Sequence, residues 1–335
     1  MTKASVGIDV SKDDFHACLK IRLDTGKTKI AASRSFKSSD KGFEEFLQWA
    51  EKNNKEKHPL TFIMEATGVY YENLAYFLHF HGQKTAVVLP NKMKNYFKSL
   101  NIKTKTDKVD SRIIALYGIE RSVDLWEPMS ENFKNIRDLC RELLSMKKEL
   151  QRAKNQLHAI KYAHNKSSEI KKLKESQIAF FEKSIQKLRK TIEKTVKNDI
   201  PLEKKIQKIV TIPGMGFETA VILASETNGF LMFENIRQVV SYSGLDVSHN
   251  ESGNFKGRSK ISKKGNSKIR QALYMPALSA TSANEPIKAL YKRIVEKNPQ
   301  TKRVGVVAAM RKLLVLAFSL WKKDEVYDKA YVWNA

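Results

Sequence analysis

Ala4-Ser5-Val6-Gly7-Ile8-Asp9-Val10-Ser11 decides the reading of this chain. Val6, Ile8 and Val10 alternate with smaller or polar residues, the period-two pattern of a strand with one face in a core. Asp9 is out of place there, because a buried charge is costly unless it is paired or bound to metal. Working outward, Phe15 to Ile21 is a second apolar run. Asp24-Thr25-Gly26-Lys27 reads as a hairpin turn into a third run through Phe36. Ser39-Asp40 caps a helix with Phe43, Phe46, Leu47 and Ala50 on one face. Leu60 to Met64 predicts a buried strand, residues 70–81 a helix, Lys84 to Leu89 a strand stopped by Pro90, and residues 107–121 a helix. Strands first, then strands alternating with helices, predict a mixed α/β sheet with helices packed on it.

The chain has 335 residues, 41% of them apolar, enough for two or three globular domains. Lys plus Arg number 61 against 36 acidic residues, a net charge of +25. That surplus attracts polyanions and makes nucleic acid the leading partner, with an anionic membrane surface as the alternative. Cys18 and Cys140 imply neither a disulfide framework nor a zinc site, which suits a reducing cytoplasm. The N-terminus lacks the apolar core of a signal peptide. Val304 to Trp321 is apolar but broken by Arg311 and Lys312, so it reads as a buried or amphipathic helix and no membrane partner is expected.

From about residue 130 the pattern changes. Leu139, Leu143, Met146, Leu150, Ala153, Leu157 and Ile160 recur at alternating spacings of four and three, a heptad seam. Asn165-Lys166-Ser167-Ser168 interrupts it, and Phe181, Ile185, Leu188 and Ile192 resume it. This predicts a long, strongly basic helical hairpin that packs on itself or on another subunit. After Pro201 a compact, mostly helical region follows.

Four carboxylates stand out. Asp9 is within a strand, and Glu65 ends another, in Met64-Glu65-Ala66-Thr67-Gly68. Asp107 and Asp110, spaced i and i+3, share a helical face. Such hard oxygen donors suit Mg²⁺ or Mn²⁺, and paired ions of this kind stabilise the attacking and leaving oxygens of a phosphodiester. Taken singly, each has a plainer reading: Asp107 as a helix N-cap, Asp110 as a partner of the helix dipole, Glu65 as a surface strand end.

Residues 254–270 are rich in glycine, serine and cations: Lys256, Arg258, Lys260, Lys263, Lys264, Lys268 and Arg270, with no acid among them. Such a segment approaches and neutralises a phosphate backbone. Lys105 and Lys108 flank the acidic pair and join the same candidate set. Ser252, beside Gly253, precedes the segment. As a nucleophile it needs activation, and a serine in a loop is most often only a loop serine. Ile212-Pro213-Gly214-Met215-Gly216 matches a helix–hairpin–helix turn, whose free N–H groups at Gly214 and Gly216 hold phosphate without reading sequence. A tight turn between packed helices is the plainer alternative.

Taken in order, these blocks resemble the DEDD transposases of the insertion-sequence "one-ten" family. Gly7-Ile8-Asp9-Val10-Ser11-Lys12, Met64 to Gly68 and Lys105 to Ser111 look like its N-terminal blocks. Ile212 to Gly216, Tyr242-Ser243-Gly244-Leu245, Ser252-Gly253 and Ile261 to Asn266 look like its C-terminal domain. The resemblance implies a RuvC-like, ribonuclease-H-like catalytic domain over 1–125, a coiled-coil hairpin over 126–200 and a C-terminal transposase domain over 201–335. It implies that Asp9, Glu65, Asp107 and Asp110 bind Mg²⁺ and that a serine, matched by Ser252, forms a phosphoserine link to DNA. Ser248, Ser259 and Ser262 compete for that role. It also implies a homodimer or homotetramer whose active site draws on different subunits, acting on element ends and target DNA under a structured guide RNA in a bacterial or archaeal nucleoid. Two rivals remain: a junction-resolvase-like, structure-specific endonuclease that activates water, and a non-catalytic nucleic-acid scaffold.

Overall fold

The computed structural model describes residues 4–329 except 103, 105, 165–166, 249–250, 253–254, 258–259 and 298, and only the backbone of 251, 255 and 256. The chain divides into two compact units, one ending at Pro128 and the other beginning at Met129.

In the first unit, β1 (Ala4–Val10), β2 (Asp14–Arg22) and β3 (Thr28–Lys37) form an antiparallel meander. Helix α1 (Asp40–Asn53) starts at the Ser39 cap, whose hydroxyl accepts the Gly42 N–H. β4 (Leu60–Glu65) lies parallel to β1. Helix α2 (Tyr70–Phe80) leads to β5 (Thr85–Val88), parallel to β4. The sheet order is β3-β2-β1-β4-β5, a mixed sheet with helices packed on it, as the alternation of strands and helices predicts. Helix α3 (Pro90–Ser99) was not expected. Pro90 stops the strand as predicted, and it also starts a helix, because its fixed φ and missing N–H suit the first helical position. Helix α4 (Asp107–Glu120) completes the unit.

Strand parity distributes the side chains. Val6, Ile8, Val10, Phe15, Ala17, Leu19, Phe62 and Met64 face one core, built with Phe43 and Phe46 of α1 and Leu74 and Leu78 of α2. Ile63, Ala86 and Val88 face the other, with Met93 of α3 and Ile113 and Ile114 of α4. The alternate positions of β1 therefore point at α4.

The second unit opens with α5 (Glu131–Tyr162) and α6 (Ser168–Lys197), the expected hairpin. Leu143 and Ala153 of the seam are buried with Ile185 and Ile192, and Lys154 pairs with Glu182 across the hairpin at 2.8 Å. There follow α7 (Ile200–Val210), α8 (Phe217–Glu226) and α9 (Ile236–Ser243). Four two-residue strands come next: β6 (Val247–Ser248), β7 (Glu251–Ser252), β8 (Phe255–Lys256) and β9 (Lys260–Ile261). Helices α10 (Ser267–Ala283), α11 (Glu285–Lys297) and α12 (Arg303–Lys323) close the unit. Although α12 is long and apolar enough to cross a bilayer, Val306, Met310, Leu313, Leu314 and Phe318 are buried in this unit's core beside residues of α8.

Candidate active site

The parity that sends Ile8 into the aromatic core sends Asp9 to the opposite face. Ile8 and Met64 are the last paired residues of β1 and β4. One step further along these parallel strands stand Asp9 and Glu65, neighbours on the α4 side at the carboxyl end of the sheet. Helix α4 crosses that face antiparallel to β1. A side chain at Gly118 would overlap Ser5 and Ile63, and one at Gly7 would overlap the Ser111 carbonyl and the Ala115 nitrogen. Moving from Gly118 back to Ser111 thus moves along β1 from Ser5 to Gly7, and the next turn brings Asp110 and Asp107 towards the Asp9 edge.

Thr106, not Asp107, caps α4: its hydroxyl accepts the Val109 N–H at 3.3 Å. The cap leaves Asp107 exposed in the first turn, with Asp110 half-buried; Asp9 and Glu65 are half-buried too. Asp9 and Glu65 thus share one end of one sheet face, and the first turn of α4, with Asp107 and Asp110, runs toward it. Among the described residues, no three acidic, histidine or cysteine side chains stand close enough to hold an ion as they are. The donor set fits a hard divalent cation chemically: all oxygen, and open to solvent in part.

His16, which sequence reasoning missed, belongs to the same place. It is the cross-strand partner of Asp9. Its Nδ1 lies 2.7 Å from the Ser35 Oγ and its Nε2 2.9 Å from the Ser33 Oγ. Burial lowers its pKa below the ordinary 6.5. The Asp107 charge opposes that shift, and Lys108 and Arg112 reinforce it. The signal was available in the hairpin register, which sets an imidazole opposite the strand carboxylate. Lys108 is exposed nearby; Lys105 lies outside the described residues.

In the second unit, Ser252 is exposed on β7 and pairs with Phe255 of β8. β6 pairs with β9, Val247 with Ile261 and Ser248 with Lys260. These two ladders, nested in sequence, make up an arm between α9 and α10. Its root is tightly tied. Ser262 N–H donates to the Asp246 carbonyl at 2.8 Å and its hydroxyl to Asp246 Oδ1 at 2.5 Å. Lys263 N–H donates to the Gly244 carbonyl. Gly244 is left-handed at φ 66°, and a side chain there would press on Lys263 and Arg270. Arg270 Nη1 donates to the Ser243 and Gly265 carbonyls at 2.8 and 3.1 Å, so this guanidinium braces the root. Of the competing serines, Ser262 is engaged in the root, Ser248 is exposed on β6 and Ser259 lies outside the described residues. Lys260, Lys263 and Lys264 are exposed and Lys268 half-buried. Arg258 and the Lys256 side chain fall outside the described residues.

At the glycine turn the two positions differ. Gly214, at φ 95°, packs against Ala280 of α10, whereas Gly216 faces open space as the cap residue of α8. The first turn of α8 carries Glu218, paired with Lys147 and with Arg189.

Both units have matches among known protein families. The DEDD transposase model of the IS110 group matches residues 6–160, and the model for transposases of the IS116/IS110/IS902 family matches residues 206–292. The chain belongs to the IS110 family of transposases, and it is a DNA transposase or recombinase. Pilin gene-inverting proteins of Moraxella bovis and Moraxella lacunata are each 29% identical to it over 330 residues, covering 98% of this chain and 99% of theirs. A structure of Thermus thermophilus RuvC, and one of the same protein in complex with Holliday junction substrate, align at TM-scores of 0.29 and 0.27 with 12% and 11% identity. Each covers 37% of this chain and 99% of its own.

Proposed function

We propose that this recombinase breaks and rejoins DNA through a seryl–DNA intermediate, with Ser252 as nucleophile and Asp9, Glu65, Asp107 and Asp110 as the ligands of Mg²⁺ or Mn²⁺. The observation that supports the reading is strand parity, which puts Asp9 and Glu65 on the α4 face at neighbouring strand ends, together with the path of α4 over Gly7, which runs the Asp107–Asp110 turn toward that edge. A bound divalent ion would polarise the phosphate and stabilise the leaving oxygen. The chain's own part is to present the hydroxyl. The Ser252 Oγ–P bond forms as the P–O3′ bond breaks, and the serine proton ends on the 3′ oxygen. Reversal at a new 3′ end releases the serine, so the phosphodiester energy is conserved. Lys260, Lys263 and Lys264 hold the backbone beside the arm. The same basic surface suits a structured RNA held by shape and backbone, which would choose the DNA sites by pairing. The active form is a dimer or tetramer in which one subunit's serine meets another's carboxylates.

The experiment is cleavage of an element-end duplex together with the RNA that co-purifies with the protein. Products are run on a denaturing gel with and without protease. The expected result is a protein-linked strand and a free 3′ hydroxyl, lost in Ser252→Ala. Free 5′ phosphates with no adduct would establish the hydrolytic endonuclease instead.

A further inference from the structure

Each ladder of the serine arm has only two residue pairs. Ladders that short do not fix a direction by themselves, which gives the contacts at the root of the arm a part in orienting it. Glu226, the last residue of α8, stands at that root and is 2% exposed. Arg141 of α5 grips both of its oxygens, Nε to Oε1 at 2.7 Å and Nη2 to Oε2 at 2.9 Å. Asn266 donates its side-chain amide to Oε2 at 2.7 Å, and the Tyr242 hydroxyl donates to the Glu226 backbone carbonyl at 3.1 Å. Tyr242 and Asn266 bracket the arm: one lies in α9 just before it, the other caps α10 just after it. Asn266 N–H also donates to the Tyr242 carbonyl at 2.7 Å, and its Oδ1 accepts the Lys268 and Ile269 N–H groups.

Glu226 is buried while 44% of the Arg141 side chain is exposed, so the pair adds little net stability: desolvation of the acid and solvent screening of the cation both offset the Coulomb attraction. What the pair adds is direction. A two-point guanidinium–carboxylate fork has one preferred geometry, and it leaves Oε2 aimed at the Asn266 amide. We propose that Glu226 is a positioning residue for strand transfer: through Asn266 and Tyr242 it locks both ends of the arm and so sets the line along which Ser252 meets phosphorus. This rests on Ser252 being the nucleophile.

Two variants test it. Glu226→Gln keeps the size but places an amide where Arg141 and Asn266 both donate. Tyr242→Phe removes one hydroxyl and leaves the packing intact. Hydrogen exchange on the DNA-free protein reads the Ser262, Lys263 and Asn266 amides, whose bonds close the root, against those of α12. In Glu226→Gln the root amides are expected to exchange at least about tenfold faster with α12 unchanged. Single-turnover adduct formation at saturating DNA is expected to fall roughly 100-fold, as for a misplacement of about 1 Å, with DNA affinity unchanged within about twofold. Tyr242→Phe moves both readouts the same way by less. Unchanged root exchange in both variants, or equal loosening of root and α12, would overturn the proposal. If the wild-type protein forms no adduct, the assignment of Ser252 fails, while the exchange data still decide whether Glu226 anchors the arm.

Discussion

Gly7 lies directly beneath the Ser111 carbonyl of α4, with no room for a side chain between strand and helix. The contact sets the height of α4 above β1, and with it the reach of Asp107 and Asp110 toward Asp9. Gly7→Ala is expected to destabilise the protein by about 1–3 kcal/mol, the usual cost of overpacking, and to reduce DNA cleavage by more than the loss of folded protein explains. Urea denaturation alongside cleavage by the folded fraction checks it. A variant with wild-type stability and activity would show that the helix seats itself some other way.

Asp9→Asn is expected to retain DNA binding and to lose at least about 100-fold in cleavage rate, since removing one ligand charge forfeits a few kcal/mol of transition-state stabilisation. Chelation of divalent ions should abolish wild-type cleavage, and Mg²⁺ or Mn²⁺ should restore it. Cleavage that survives chelation would rule out the metal reading.

The cations of the arm divide into two kinds. Lys260, Lys263 and Lys264 are exposed, and replacing all three with Ala should flatten the salt dependence of DNA binding by up to about 0.9 in log–log slope per lost phosphate contact. Arg270→Ala should leave that slope almost unchanged and lower stability instead, because its guanidinium holds two root carbonyls. Fluorescence anisotropy at several salt concentrations separates the two, and a large slope change in Arg270→Ala alone would reverse the assignment.

The fold was legible because period-two alternation at Val6, Ile8 and Val10 survives in any local reading of the chain, and the same parity exposes Asp9 as an exception. Helix caps such as Ser39 were equally local. Pro90 was read correctly as the end of a strand, but the helix it begins was missed, because its chemistry serves both. Glu226 was invisible for a different reason. Its partners Arg141 and Asn266 are 85 and 40 residues away, and no spacing rule connects them. The one local hint is an acid that, with Ser225, closes the apolar run Ala220-Val221-Ile222-Leu223-Ala224.

Glu226 also predicts a pH dependence. Burial pushes its carboxyl up, but the hydrogen bonds and charge of Arg141, with the Asn266 amide, more than offset this and leave it below its ordinary 4.5. Between those two values the unfolded chain binds the proton and the native protein does not, so stability rises with pH. The contribution is complete above about pH 4.5 and is lost as acid passes through the lowered native value. In Glu226→Gln the acid limb of thermal stability should be shallower; an identical limb in both proteins would contradict the pairing.

The alternation along β1 has a consequence for how this gene tolerates insertions and deletions. One extra or missing residue between Ala4 and Asp9 would turn the carboxylate into the layer of Phe15, Phe46 and Phe62 and turn Ile8 out toward α4. Length changes are therefore confined to turns such as Asp24 to Lys27, while the reading frame of the strand is fixed to the single residue.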